Sequence, residues 1–296
     1  MGRVAPATLA TILVIGLFWG LNWPAIKFLL TEVPPFTIRA GAFTVATGAL
    51  AIYAVATRER LIPPLRELPW MAVTGLLTIF GFNMLTTLGQ VLTETSKAAI
   101  IAYTMPAITA LFSVVFLGDR LRPTVASALV VGMCGIAILA SENMSQLLAN
   151  PLGPAIMVTA ATVWSLGTVA MKAGTFTLSA MGLTTWFMGL SAIVCWPFAL
   201  VLEEPFAIPM PSSGALAVWL WHALLPMVVN YALWTRLVGQ VSAPVAALAT
   251  LLAPVVGVTS AMVLLGDPPT WQKFTALAMI LGSIALTFLR TGTQSK

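Results

Sequence analysis

The sequence predicts an all-α membrane protein: ten spanning helices arranged as two inverted five-helix halves. Three observations lead there. The first is composition: 59% of the 296 residues are apolar, only 8% are charged, and the mean hydropathy is +0.98. A soluble domain carries about a quarter charged residues, so most of this exterior has to face lipid. The second is segment length, because crossing a bilayer core of about 30 Å takes roughly 20 mostly apolar residues in a helix, and stretches of that size recur along the whole chain. The third is duplication. Phe18-Trp19-Gly20-Leu21-Asn22-Trp23 is echoed 145 residues later by Val163-Trp164-Ser165-Leu166-Gly167-Thr168, and Met105-Pro106 returns 148 residues later as Ala253-Pro254. Duplicated halves in a very apolar chain are the mark of transporters whose site lies between repeats.

In chain order, hydropathy predicts helices near Ala7–Leu30, Phe36–Thr57, Pro69–Leu92, Ser96–Leu117 and Pro123–Ser141, then Pro151–Ala173, Ser179–Leu202, Ser213–Val238, Ser242–Leu265 and Trp271–Leu289. The first five form one repeat, residues 1–147, and the second five another, residues 148–296. The first helix reads as a membrane span rather than a cleavable signal, being long and interrupted by Trp19, Trp23 and Pro24. Joints carry proline or charge, as at Glu32-Val33-Pro34-Pro35, Arg58-Glu59-Arg60, Asp119-Arg120-Leu121-Arg122, Glu203-Glu204-Pro205 and Asp267-Pro268-Pro269.

Lys and Arg set orientation, being retained on the cytoplasmic side. With the N-terminus inside, Arg3, Arg58, Arg60, Arg66, Arg120, Arg122, Lys172, Arg236, Arg290 and Lys296 fall there, against Lys27, Arg39, Lys97 and Lys273 outside. Both termini are therefore expected in the cytoplasm. Five helices per half is odd, so the second half enters from the opposite side and the repeats are expected to be inverted. Lys27 and Lys172, equivalent in the repeat, then lie at opposite faces.

The net charge of +5 comes from basic residues scattered singly through short connections, with no run suited to a phosphate backbone, so no nucleic-acid partner is expected. Cys134 and Cys195 sit in apolar stretches and read as small buried hydrophobes. One histidine, no HExxH, no GxSxG and no phosphate-binding glycine loop argue against an intramembrane enzyme, and no cofactor or metal is expected.

The paired Trp-Gly and Trp-Ser motifs, the mid-helix Pro106 and Pro254, and the exits Leu117-Gly118-Asp119 and Leu265-Gly266-Asp267 resemble the drug/metabolite transporter superfamily, in its ten-helix form of two EamA-like repeats. The resemblance covers nearly the whole chain; the family more often has Glu where these exits have Asp. It implies helices 1–4 and 6–9 around a central cavity, with helices 5 and 10 peripheral. It also implies export of amino acids, related metabolites or drugs across the bacterial inner membrane. The partners so expected are a small-molecule substrate and the lipid bilayer, with the protein a monomer or weak homodimer.

Polar groups within a bilayer are costly unless they face protein or a water-filled cavity. On that ground Asn22, Asn83, Thr86, Thr87, Gln90, Tyr103, Ser165, Thr168 and Asn230 are candidates for a substrate cavity. Asn83, Thr86, Thr87 and Gln90 share one helical face. Trp19, Trp23, Trp164 and Trp234 lie deep enough to supply aromatic walls, whereas Trp70, Trp219, Trp221 and Trp271 lie near helix ends as interfacial anchors. The competing reading is that hydroxyls bond their own backbone and that small or polar side chains join helices. Pro24, Pro106 and Pro254 are hinge or kink positions, each removing a backbone donor. Gly16 and Gly20 suit close helix packing more than dimerisation. His222 reads as a satisfied structural histidine, with a proton relay as its alternative. No carboxylate lies at midspan. Efflux of amphipathic drugs or cations is the alternative function; it would want such an acid, although the Trp and Met content suits it.

Overall fold

The computed structural model describes residues 6–93, 95–142, 151–264 and 269–291. Ten helical units follow one another. They are α1 (Pro6–Leu29), α2 (Pro35–Ala56), α3 (Leu65–Leu92), α4 (Thr95–Ala102 with Met105–Leu117), α5 (Pro123–Ser141), α6 (Leu152–Ala173), α7 (Ala180–Leu202), α8 (Ser213–Gln240), α9 (Ala243–Ala249 with Leu252–Leu264) and α10 (Trp271–Thr291). Nine stretches of the described residues are long and apolar enough to cross a membrane, and Trp271–Leu286 is a shorter apolar helix. The predicted ends agree within a few residues.

Four of the units are not uniform helices. α4 is interrupted at Tyr103-Thr104, and α9 at Thr250-Leu251. Pro106 is thus no kink within a continuous helix: it sits in the first turn of the second piece of α4, where its missing N–H costs nothing. Pro254 stands two residues into the second piece of α9, and of these three prolines only Pro24 lies inside an unbroken helix. α3 widens to π geometry over Leu76–Gly81, and α8 over Ala223–Asn230, around Pro226. Such bulges concentrate at functional sites. Both kinds of irregularity fall at corresponding places in the two halves.

The packing repeats as well. α2 lies on α7 and α5 on α10; the second piece of α9 packs on α1, and the second piece of α4 on α6; α3 meets α6, and α8 meets α1. Exchanging the halves maps the α2–α7 and α5–α10 pairings onto themselves and interchanges the others in pairs. Glu59, just past α2, accepts from the Ser179 hydroxyl that opens α7 (2.6 Å), while Glu203, at the end of α7, accepts from the Phe36 and Thr37 amides that open α2 (2.8 and 2.7 Å). Equivalent helices α2 and α7 are therefore antiparallel, each N-terminus met by a carboxylate, as the helix dipole favours. Arg58 and Glu204 adopt left-handed backbone after these two helices. Lys27 Nζ donates to the Gln90 carbonyl near the end of α3 (2.8 Å), and Lys172 Nζ to the Val238 carbonyl near the end of α8 (3.2 Å).

The expected role of Gly16 and Gly20 takes a definite form. A Cβ on Gly20 would stand 2.7 Å from the Ala253 carbonyl oxygen, and one on Gly16 2.5 Å from the Leu252 side chain, so this pair admits α9 onto α1 within one chain. The corresponding contact between α6 and α4 is polar: Ser165 Oγ donates to the Met105 carbonyl at 3.2 Å. Cys195 is buried as expected, but Cys134 is exposed on α5. Trp219 differs from the anchor expected of it. Its indole N–H donates to the Ile38 carbonyl at 2.8 Å, and its ring fills the space that Gly41 leaves. Glu94 and the Leu265-Gly266-Asp267 exit lie outside the described residues. In the first exit Gly118 is left-handed at φ 67°, which explains a glycine at that turn.

Glu32, between α1 and α2, accepts from both the amide (2.6 Å) and the hydroxyl (2.7 Å) of Ser212, the residue that caps α8. The backbone bond first, and the hydroxyl bond after it, hold its carboxyl below the usual carboxylate range. A carboxyl depressed by folding stabilises above its unfolded pKa and loses that contribution as pH falls through the folded value. Glu32→Gln is expected to melt lower than the parent at neutral pH and to converge with it in acid. Melting curves separated by the same interval at every pH would contradict this.

Candidate functional site

Where the two halves cross, a cavity of about 40 Å³ remains, with room for about three waters. α1 supplies Trp19, Asn22 and Trp23, α2 supplies Arg39, α3 supplies Phe82, Asn83, Thr86 and Gln90, and the break in α4 supplies Tyr103 and Met105. The second half supplies Trp164 from α6, Met227 and Tyr231 from α8, and Thr250 from the break in α9. Both interrupted helices therefore point their breaks at the cavity. In membranes irregular backbone is tolerated where it lines such a space.

One wall is aromatic. The Trp164 ring lies 5.4 Å from Trp19, 4.7 Å from Phe82 and 6.0 Å from Tyr231, distances typical of edge-to-face and tilted pairs. Across from it, the Trp23 indole donates to the Tyr103 hydroxyl at 2.7 Å. Asn83 Nδ2 donates to the Tyr231 hydroxyl (2.6 Å) and to the Ile79 carbonyl (2.8 Å), a carbonyl of the π segment. The widened turn thus places a side-chain amide to serve both backbone and cavity.

A buried polar chain reaches the cavity at Asn22 and Arg39. Arg39 Nε donates to Thr87 Oγ1 at 2.6 Å, and Thr87 Oγ1 donates to the Asn83 carbonyl at 2.7 Å. Arg39 Nη1 lies 3.0 Å from His222 Nε2, and His222 Nδ1 lies 2.6 Å from Asn22 Oδ1. A guanidinium can only donate, so Nε2 accepts, which leaves the ring proton on Nδ1 to donate to Asn22. Every link closes with a neutral histidine, the satisfied structural role expected for His222.

Eight of the thirteen predicted cavity residues line this space: Trp19, Asn22, Trp23, Asn83, Thr86, Gln90, Tyr103 and Trp164. Five do not. Thr87 is turned aside to Arg39. Ser165 bonds the Met105 carbonyl and the Thr109 hydroxyl, joining α6 to α4. Asn230 donates to the Ile15 carbonyl at 3.0 Å and joins α8 to α1. Trp234 forms a second aromatic layer, 5.7 Å from Trp19 and 5.1 Å from Trp164. Thr168 lies one turn beyond Trp164, fully buried. Ser165 and Asn230 take the helix-joining roles open to polar residues in a bilayer; elsewhere Thr44, Thr47, Thr78 and Ser191 bond the carbonyl four residues back.

Sequence reasoning missed Arg39. Counted among the outer charges, it is 1% exposed inside α2. Its signal was present: Pro34-Pro35 starts the helix, which places Arg39 a full turn inside an otherwise uncharged span. Among the described residues no group of three His, Cys, Asp or Glu side chains is placed to hold a metal ion.

Fold and cavity together define a multi-pass membrane protein of the transporter class. Residues 7–141 and 151–289 match the EamA-like transporter family, and the chain belongs to that family. Among its relatives, the aromatic amino acid exporter YddG of Ancylobacter novellus is 28% identical, covering 87% of this chain and 88% of that protein. The uncharacterized inner membrane transporter YedA of Escherichia coli is 26% identical over 92% of this chain and 88% of its own length. The uncharacterized transporter YvbV of Bacillus subtilis is 25% identical over 99% and 94%. A protein of known crystal structure shares the fold with a TM-score of 0.76 at 23% identity, covering 96% of this chain and 98% of that one.

Proposed function

We propose that this protein exports amino acids and related small metabolites across the bacterial inner membrane by alternating access, with both termini in the cytoplasm. In this reading residues 1–147 and 148–296 are inverted repeats that rock about the cavity. The observation that carries it is the cavity itself, walled by aromatic rings on one side and amides and hydroxyls on the other, and flanked by two broken helices. Rings suit an apolar side chain, and fixed polar groups suit a charged head. The antiparallel α2 and α7 support the inversion. The exporter named among the relatives supports the substrate class, and the inner membrane named for another supports the location.

The test is counterflow of labelled amino acids into proteoliposomes preloaded with unlabelled amino acids, with and without a pH gradient. Uptake above empty liposomes is expected, strongest for residues with apolar side chains. Flux equal to that of empty liposomes for every amino acid would refute the reading.

A further inference from the structure

The polar wall carries a positive charge with no acid against it. Arg39 lines the cavity, is 1% exposed, and bonds two neutral acceptors, Thr87 and His222. Three of its five N–H donors have no partner among the described residues. Glu203, at the end of α7, is committed to Phe36 and Thr37 at the start of α2, and none of the residues lining the cavity is Asp or Glu. Two further buried atoms on the cavity wall lack partners: the Trp164 indole nitrogen and Gln90 Oε1. A buried cation in a membrane normally pairs with an opposite charge or marks a ligand path, and orphaned buried polar atoms call for a ligand or water.

We propose that Arg39 is the receptor for the carboxylate of the transported molecule, so that the site selects on the carboxylate and not on the amine. This rests on the cavity being the transport site. A guanidinium offers a carboxylate two parallel N–H bonds, and the Trp164 indole is a further donor in the same space. The aromatic rings take the apolar body. An ammonium finds only neutral acceptors there, such as Gln90 Oε1, and its charge is repelled by Arg39. Apolar carboxylates without an amino group are therefore ligands, whereas amines without a carboxylate are rejected, which also disfavours cationic drugs.

Binding to the purified full-length protein in detergent is measured by calorimetry with L-phenylalanine, phenylpyruvate and 2-phenylethylamine. The two carboxylates are expected to bind and the amine to bind at least about tenfold more weakly, as loss of a charge-assisted bond implies. Arg39→Gln is expected to weaken both carboxylates by about 10- to 100-fold and, by removing the repelling charge, to tighten binding of the amine; Arg39→Lys, which keeps the charge but loses the fork, recovers part of the carboxylate loss and still rejects the amine. Wild-type protein binding the amine as tightly as L-phenylalanine, or binding neither carboxylate, overturns the proposal, and this comparison holds even where Arg39→Gln fails to fold. Arg39-dependent carboxylate binding without flux in proteoliposomes would sink the transport reading while leaving the receptor standing. Flux of the amine equal to that of the acid would do the reverse.

Discussion

Trp164→Ala is expected to abolish transport and to lower stability by about 3 kcal/mol, the low end of the usual cost of emptying a large aromatic site. The low end applies because lipid is as apolar as the ring, so the loss is one of packing rather than of water exclusion. The packing is extensive: Trp164 is 1% exposed and meets Trp19, Phe82, Tyr231 and Trp234. Trp164→Phe keeps a six-membered ring in place but removes the pyrrole ring with its N–H. It should cost less stability than Trp164→Ala, because less of the site is emptied, and still transport poorly. Thermal unfolding in detergent alongside counterflow checks both variants. Parental transport by Trp164→Ala would remove the cavity from the substrate's route.

Gly20→Leu should prevent assembly of the folded protein. The atom nearest a new Cβ, at 2.7 Å, is the Ala253 carbonyl oxygen, and Val256 Cβ is equally close. Backbone cannot swing aside as a side chain does, so α9 would have to leave α1. Even Gly20→Ala is expected to cost about 1–3 kcal/mol, as overpacking does. Gly48 provides the control, since nothing lies within 4 Å of a Cβ added there, and Gly48→Ala should melt no lower than the parent. Size-exclusion profiles and melting temperatures of the three variants decide the matter. A monodisperse Gly20→Leu protein with parental stability would mean that the α1–α9 contact is looser than described.

Helix positions and their pairing into halves were legible because the bilayer imposes a length and a polarity on each span, and both are written in local composition. Trp19 and Trp164, Pro106 and Pro254, and Lys27 and Lys172 could all be matched by offset alone. The cavity was legible only in part. Asn22, Asn83 and Gln90 were found because polar groups at bilayer depth are costly unless they face protein or a cavity. Asn230 met the same criterion and serves instead to hold α8 against α1, because an amide bonds equally well to a neighbouring carbonyl or to a ligand. Ser165 and Thr87 fail for the same reason. Arg39 was misplaced because charge near a predicted helix end normally reaches toward the interface. His222, Thr87 and the turn of α2 keep it inside, and those partners come from α3 and α8.

By itself, then, the sequence determined a ten-helix membrane fold with a duplicated plan, since hydropathy and repeat spacing are properties of the chain read along its length. Only the tertiary structure decided that α4 and α9 break toward one cavity and that α3 and α8 widen beside it. It alone joined Asn22, His222, Arg39 and Thr87 into a buried chain facing Trp164. Hydrogen-bond partners distant in sequence, such as His222 and Asn22, 200 residues apart, are chosen by packing, and no local pattern encodes them.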